Sequence, residues 1–432
     1  MKKIFYSMTA LLMMGLMLTS CGSDDDNNSG NGNNGNSNSG STIVTDDAKY
    51  KDRSYGNAAI EGCMDVIKNM EAANQTIAKS DLTAEQESSL RQVLQSLVNN
   101  VIVPTYTRLA DETEHLESTL KGLTVSTITQ AQINSACDDF KKARQYWEQS
   151  EAFLGGAASD FDIDPTIDSW PLNRSLLLSY FNNGMNEEML EDATIRGFHA
   201  LEFILFRNGQ PRSVAELQGY DTYKNFEKVS GAKELAYAQT ISTLLKQCCY
   251  QLQVAWEGET AANASRVAVV KGAGLDYTTE KGLSYGENLT TAGLDGSKSS
   301  FPTLKAAIAQ VLNNDEGSCA AIANEVGTAK IANPFSAGDI SYVESPYSYN
   351  SISDFQDNIR SIRNVWYGST NGSAASNSFS RFFNSVGESA FNDKVVASVS
   401  AAIDKIGAMP APFVKYCSSI WNISFEDDES WD

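Results

Sequence analysis

The sequence predicts an all-α fold in which two helical bundles pack together, with a long irregular connection between them. Apolar residues recur at three- and four-residue intervals over long stretches, as they do along one face of a helix. Two capping boxes mark helix starts, and the alternating pattern typical of strands is scarce. The helical stretches are joined by modest connections, which is typical of a bundle.

Residues 1–20 have the pattern of an export signal. Lys2 and Lys3 precede an apolar run at 11–18 that is too short to span a bilayer. The tetrapeptide Leu-Thr-Ser-Cys that ends at Cys21 matches a lipobox, where the cysteine receives lipid and the preceding peptide is removed. We therefore expect a lipid anchor at Cys21 in a membrane; the alternative is an ordinary cleaved signal.

Residues 21–50 contain mostly Gly, Ser, Asn and Asp, a composition that cannot offset its ordering entropy by burial. We interpret them as a flexible tether. The run Asp24–Asp26 resembles the surface-export signal of Bacteroides-type lipoproteins, which predicts an outer-membrane location with exposure at the cell surface. A merely solvating run of charge is the alternative, and both stay open.

Residues 51–262 are predicted to form the N-terminal bundle. Capping boxes at Thr83–Gln86 and Thr129–Gln132 open two of its helices, and Pro104 is expected to kink or interrupt the first. Further helices are predicted over 186–207 and 232–256.

Residues 263–300 are rich in Gly, Thr, Ser and Asn, which predicts a connecting excursion with a small hairpin at Val267–Lys271. Residues 301–432 are predicted to form the C-terminal bundle. Its helices are expected over 302–313, 317–329, 351–366, 374–387, 391–405 and 411–420.

The formal net charge of −21 disfavours nucleic acid and anionic membranes as partners, and favours cations or basic ones. Six cysteines follow Cys21 without any CxxC, and several lie within helical patterns, so we predict no particular disulfide.

His199 and Glu202 interrupt an apolar stripe that Ile195 and Phe206 share at helical spacing. A carboxylate in such surroundings needs a cation, a proton or a hydrogen-bonding partner. The three-residue spacing lets both side chains project toward one metal or ligand. A structural His–Glu hydrogen bond in the core is the alternative interpretation.

Glu151 shares a helical stripe with Trp147, so we expect it to face inward. It is then a second carboxylate near His199, which would complete a Glu/His/Glu set suited to a divalent or ferric ion. An Arg144-centred salt bridge at the edge of the bundle is the alternative. His115, beside Glu112, is assigned to a solvated face.

Two loops complete the set of candidates. Asp168 and Trp170 belong to an aromatic, proline-containing loop that either closes a bundle end or lines a pocket. Glu344, Ser345 and Ser348 precede a helix that begins near residue 351, where hydroxyls and backbone amides either cap the helix or hold an anionic group.

Four motifs in sequence resemble the imelysin-like family. Gly197–Glu202 fits its GxHxxE signature, and Trp147-x-x-x-Glu151-x-Phe153 and Ile167–Pro171 occur in the family's order. Residues 344–348, with 354, 358 and 366–368, are similar to its later motif. This chain has Gly155-Gly156 and then Ala-Ala-Ser where relatives often have Gly-Pro, so the rim of that loop departs from the pattern.

The resemblance implies an envelope protein of two helical bundles whose motifs converge on a site between them, associated with iron uptake. His199, Glu202 and Glu151 would be its metal ligands. Its ligand-binding residues would be Gly197, Trp147, Asp168, Trp170, Glu344, Ser345 and Ser348.

The leading hypothesis is a non-catalytic lipoprotein that binds iron, another divalent metal or an iron-bearing ligand, and that serves an outer-membrane transport partner. A metallopeptidase at the same site is the rival, since one family branch carries that label. Only two histidines occur in the chain, whereas a hydrolytic zinc site normally takes three protein ligands. A surface interaction module with a structural His–Glu pair is the third hypothesis.

Overall fold

A computed structural model describes residues 47–421, and it confirms the all-α prediction. Within this range the only sheet is a two-residue antiparallel hairpin, β1 (Phe206–Arg207) with β2 (Gln210–Pro211). The predicted signal peptide, Cys21, the aspartate run and nearly all of the tether lie outside the described residues, as do residues 422–432. None of the helices between 47 and 421 is both long and apolar enough to cross a bilayer.

The α-helices vary in length from single turns to seven turns. In chain order they are α1 Asp47–Lys51, α2 Ser54–Lys79, α3 Ala84–Leu97, α4 Val103–Leu120, α5 Gln130–Glu148, α6 Ala157–Asp160, α7 Ile163–Ile167, α8 Arg174–Asn182, α9 Gly197–Leu205, α10 Val214–Gln218, α11 Gly231–Glu257, α12 Ala264–Gly272, α13 Tyr285–Thr290, α14 Leu304–Leu312, α15 Cys319–Glu325, α16 Ser351–Tyr367, α17 Phe379–Ser385, α18 Ser389–Gly407 and α19 Phe413–Ile420.

Other helical turns lie between them. The 3₁₀ turns are Glu151–Phe153, Glu187–Glu191, Ala193–Ile195 and Ile340–Tyr342, and the π-helical segments are Val98–Ile102 and Val326–Ala337.

Both predicted capping boxes form. The Thr83 and Thr129 side chains accept hydrogen bonds from the backbone amides of Gln86 and Gln132, and each glutamine side chain accepts one from the backbone amide of its threonine. Each cap contributes about 1 kcal/mol. Pro104 lies in the first turn of α4, and the π-helical segment Val98–Ile102 comes directly before it, so the helical path continues past the proline with a local change of period.

The predicted helix over 186–207 begins later than expected. Residues 187–195 form two 3₁₀ turns, and α9 starts only at Gly197. Gly197 has φ +80°, in the left-handed region that interrupts a continuous helix.

The predicted hairpin at Val267–Lys271 is wrong, because these residues lie within α12. Val267 and Val270 are three residues apart and pack with Tyr250 and Val254 of α11. Burial against a neighbouring helix therefore selects the helical period over the strand preference of valine.

Helix packing does not follow chain order. Helix α4 packs between α5 and α11, whereas α2 packs against α15 and α18, which come from the far end of the sequence. The Asn69 amide donates to the Ser398 hydroxyl at 2.8 Å across the α2–α18 contact. The described residues 47–421 belong to one compact unit, and the division into bundles at 51–262 and 301–432 stays a prediction.

The six cysteines between residues 47 and 421 are free thiols. Five are fully buried, and burial raises the pKa of Cys63 and Cys137 to about 12. They therefore act as small apolar side chains of the core.

Candidate metal-binding site

The start of α9 is set by a close backbone approach. A Cβ atom on Gly197 would lie 2.2 Å from the carbonyl oxygen of Ile167, so only glycine fits at this contact. The approach places the first turn of α9, which carries His199, beside the end of α7, which is followed directly by Asp168. Gly197 thus places His199 and Asp168 side by side through a backbone contact, and it contributes no side chain of its own to the site.

His199 is 3 % exposed and lies between carboxylates from three parts of the chain. Its Nδ1 atom is 3.4 Å from Glu202 Oε2, while Nε2 is 3.2 Å from Asp168 Oδ1 and 3.9 Å from Glu344 Oε1. The structural His–Glu contact therefore exists, but it uses only one ring nitrogen. The other nitrogen, Nε2, faces Asp168 and Glu344.

Glu202 is held by the loop that precedes α16. Its Oε1 atom accepts hydrogen bonds from the backbone amides of Tyr347 and Ser348, at 3.0 and 2.7 Å, and from the Ser348 hydroxyl at 2.7 Å. The predicted anion-holding role of this loop is thus met by a carboxylate of the chain itself. Glu202 orients the imidazole and links α9 to the second half of the molecule.

Arg144 of α5 is fully buried at the centre of the site. Its guanidinium forms ion pairs with Glu148 and Asp168, donates to Glu344 Oε1 at 2.5 Å, and lies 3.5 Å from Asp354 Oδ2. The Arg144-centred cluster weighed as an alternative therefore exists, but it lies in the core instead of at a bundle edge, and it contains no contact with Glu151.

A second buried cation, Lys330, approaches from the π-helical segment after α15. Its Nζ atom donates to Glu344 Oε1 at 3.0 Å and lies 3.9 Å from Glu148 Oε2. Its ammonium also lies 5.0 Å from the centre of the Trp170 ring. Both cations thus bind the same oxygen of Glu344, which leaves Oε2 of that carboxylate without a hydrogen bond.

The charges in this cluster shift one another's titration. Burial alone would lower the pKa of His199, but the adjacent Asp168 and Glu202 outweigh it and raise that pKa to about 9. Burial would raise the pKa of Asp168, yet Arg144 and His199 hold it well below its ordinary value. Asp354 shows the opposite balance, since burial raises its pKa to about 7 despite Arg144.

Two groups of possible metal ligands occur among the described residues, and they share Asp168. In the first, ligand atoms of Asp168, His199 and Glu344 all lie within 4.8 Å of one another; in the second, those of Glu148, Glu151 and Asp168 do. No group within residues 47–421 joins His199 to Glu151, and none includes Glu202. The structure brings His199, Asp168 and Glu344 together, and it places Glu151 on the other side of Asp168.

The first group suits a metal ion in its donor chemistry. Glu344 Oε2 is a buried acceptor atom without a hydrogen bond, and His199 Nε2, which lies 3.2 Å from Asp168 Oδ1, becomes an acceptor when a metal ion displaces its proton. One imidazole nitrogen with carboxylate oxygens is a donor set for iron and similar divalent ions. The cations Arg144 and Lys330 offset part of the acidic charge but leave these two atoms free.

A small cleft leads to His199. It is lined by His199, Trp170, Arg174, Val343, Tyr347 and other residues from the same loops. Its volume of 30 Å³ accommodates a water molecule or an ion and is far too small for haem. Trp170 therefore lines a pocket, as one interpretation of its loop predicted, and its indole donates to the carbonyl of Tyr342 at 3.2 Å.

The remaining predicted residues support this core. The Trp147 indole donates to Asp168 Oδ2 at 2.7 Å, and the Ser345 hydroxyl donates to Asp354 Oδ2 at 2.5 Å. His115 has a 65 % exposed side chain beside Glu112, which agrees with the solvated face assigned to it.

Glu148 and Lys330 were not among the predicted site residues. The four-residue spacing of Arg144 and Glu148 on one helix face is a signal that indicates the first. Lys330 lies in an apolar stretch with no local pattern, and no sequence signal marks it.

Comparison with known proteins identifies the family. The imelysin family model matches residues 102–422, which is most of the chain. The chain belongs to the imelysin family. This confirms the resemblance carried by the four motifs.

Two relatives of this imelysin carry iron-related names. Iron-regulated protein A of Synechococcus elongatus is 25 % identical over 317 residues, which cover 73 % of each chain. The crystal structure of an iron-regulated protein A precursor from Parabacteroides distasonis has a TM-score of 0.64 and 25 % identity, covering 80 % of this chain and 92 % of that one. An imelysin-like protein from Psychrobacter arcticus is 13 % identical, with a TM-score of 0.49 and coverage of 79 % and 93 %. An iron-related role follows for the family.

Proposed function

We propose that this imelysin is an envelope lipoprotein, anchored through Cys21, that binds an iron ion as cargo at a site formed by His199, Asp168 and Glu344. The single observation that supports it most is the convergence of buried ligand atoms of His199, Asp168 and Glu344 within 4.8 Å of one another, with Glu344 Oε2 lacking any hydrogen bond. Leaving that oxygen unpaired in the core costs about 1–3 kcal/mol, which a bound cation would offset; the same cation would displace the proton from His199 Nε2.

The proposal assigns different tasks to the two polar residues of the signature. His199 is a ligand through Nε2, and Glu202 is the carboxylate that orients the ring from Nδ1. Carboxylates that orient metal-binding histidines in this way raise the ligand's basicity. Glu202 itself is saturated by three donors on Oε1, which makes it a poor candidate for a general base or a direct ligand.

The cargo we propose is the ion itself. A haem or a large chelate does not fit the 30 Å³ cleft beside His199, whereas a partly hydrated ion does. Delivery to an outer-membrane transport partner, and display at the cell surface, belong to the same proposal. Both rest on the anchor at Cys21 and the aspartate run that follows it.

Metal titration tests the site, and the two histidines of the chain supply a matched pair of variants. The full-length chain in detergent is titrated anaerobically with Fe²⁺, and also with Zn²⁺, by calorimetry. Wild type and His115→Ala should bind alike, while His199→Ala should weaken binding at least 100-fold. Equal binding by wild type and His199→Ala would refute the site.

A second measurement separates binding from hydrolysis. If chelator-sensitive cleavage of a peptide library were abolished by Glu202→Gln, the peptidase hypothesis would replace this one. Incorporation of radiolabelled palmitate that is lost in Cys21→Ser tests the anchor, and digestion of intact cells with protease tests surface display.

A further inference from the structure

A second cavity lies on the far side of Asp168 from His199. It has a volume of 330 Å³, large enough for an ion with its hydration shell. It is enclosed by the 3₁₀ turn after α5, by α6 and α7, by the loop before α15, and by α15 itself with the turn that follows. Five of its lining residues are acidic and none is basic: Glu151, Asp164, Asp315, Glu316 and Glu325.

These carboxylates lie at different depths. Asp315 and Glu316 are exposed at the mouth, Asp164 and Glu325 are half-buried, and Glu151 is 5 % exposed at the inner end. The electrostatic potential of such a cavity favours a cation over any anion or neutral ligand.

Glu151 is the observation that points to a ligand. Its side chain lines the cavity and is buried, yet it has no hydrogen bond or ion pair with any residue from 47 to 421. The other buried carboxylates nearby, Glu344 and Asp354, each contact a guanidinium or an ammonium. A buried carboxylate without such a partner is rare, because its desolvation is uncompensated.

Lys330 does not form an ion pair with Glu151. Lys330 lies 3.6 Å from Glu325 in the cavity wall and donates its hydrogen bond to Glu344, and its charge acts on Glu151 only at longer range. At the inner end, an oxygen of Glu151 lies within 4.8 Å of oxygens of Glu148 and Asp168. The possible ligands are therefore all oxygens, in contrast to the imidazole and carboxylates of the His199 site.

We propose that this acidic cavity is a second cation site, which takes a hydrated divalent ion through Glu151 and Asp164. All-oxygen donors with room for several retained waters are typical of sites for hard cations such as Mn²⁺, Mg²⁺ and Ca²⁺. The two ligands proposed here, Glu151 and Asp164, are not part of the His199 group, and Asp168 is the residue that the two groups of possible ligands share.

Mn²⁺ is the probe, because the electron paramagnetic resonance signal of the free ion falls as it binds. Full-length wild-type protein should bind Mn²⁺ at the cavity, and Glu151→Gln should weaken that binding at least tenfold. Asp164→Asn should weaken it in the same direction. Glu280→Gln, which removes an exposed carboxylate elsewhere, should leave it unchanged and controls for net charge.

The ligand type distinguishes the two sites. Mn²⁺ bound by His199→Ala protein should persist and show no ¹⁴N coupling in electron spin echo spectra, since the cavity offers no nitrogen ligand. If Glu151→Gln and Asp164→Asn, both folded by circular dichroism, bound Mn²⁺ as wild type does, the cavity would not be a cation site. Loss of all Mn²⁺ binding in His199→Ala alone would overturn this inference and leave the His199 site standing.

Discussion

Two buried charge clusters in this protein each combine cationic side chains with aspartate and glutamate, but they differ in which atoms they leave without hydrogen bonds. In the cluster around Arg212, the guanidinium donates twice to Glu234, at 3.0 Å each, and once to the carbonyl of Ile204. Asp221 bridges it to Arg207. The atoms without partners there are the Nε–H groups of the two arginines, which are donors.

The cluster around His199 leaves acceptors unpaired instead. Arg144 and Lys330 converge on one oxygen of Glu344, so Glu344 Oε2 remains without a hydrogen bond. Glu202 contacts only one nitrogen of the imidazole, so His199 Nε2 becomes a further acceptor when a metal ion displaces its proton. A metal ion binds to acceptors and cannot bind to an N–H group. A buried cluster of charges therefore does not by itself indicate a metal site. An acceptor atom that the cluster leaves without a hydrogen bond does.

The largest expected effect is on folding, at the Arg212 cluster. Arg212→Leu leaves Glu234 buried without its partner, so the free energy of unfolding should fall by about 3–5 kcal/mol. Urea denaturation measures this, and Fe²⁺ affinity of the folded variant should stay at the wild-type value. The double variant Arg212→Leu, Glu234→Leu should lose less unfolding free energy than the single variant, because it also removes the carboxylate that the single variant leaves unpaired. If Arg212→Leu lost iron binding with little loss of stability, the structural role assigned to the Arg212 cluster would be wrong.

The next effect is the pH dependence of stability at the His199 cluster. The pKa of His199 is raised from 6.5 to about 9, so its stabilisation is fully present below pH 6.5 and is lost as pH rises through 9. Without metal, this contribution amounts to about 3 kcal/mol. Urea denaturation at pH 6 and 9.5 should show this loss in wild type and His115→Gln, and a smaller one in His199→Gln. An equal slope in all three proteins would show that His199 is not charged in the core.

The smallest expected effect concerns orientation of a ligand. Trp147→Phe removes the indole donor that holds Asp168 Oδ2 at 2.7 Å, and should weaken Fe²⁺ binding about tenfold. Trp366→Phe is the matched control, because that buried indole donates to Asn392, a residue outside the site. Calorimetry on both variants separates loss of orientation from loss of an indole hydrogen bond in general. Equal affinities would assign Trp147 a packing role only.

The sequence pattern predicted the local parts of the site well. The i, i+3 spacing places His199 and Glu202 on one turn, and both are buried as their apolar neighbours indicated. Glu151 was expected to face inward, which is confirmed, but its expected neighbour was His199. An apolar stripe predicts which face of a helix is buried. It does not predict which residues from other parts of the chain a carboxylate on that face will lie beside.

The amino-acid sequence by itself determined the helices, their caps and the pairing of imidazole with carboxylate, because these depend on contacts within a few residues. Only the tertiary structure decided which atoms stay unpaired. Arg144 contacts Asp168, Glu344 and Asp354, which lie 24, 200 and 210 residues along the chain. Which acceptor is left without a hydrogen bond depends on which donors the fold brings to it. The local sequence pattern does not encode contacts between residues so far apart in the chain.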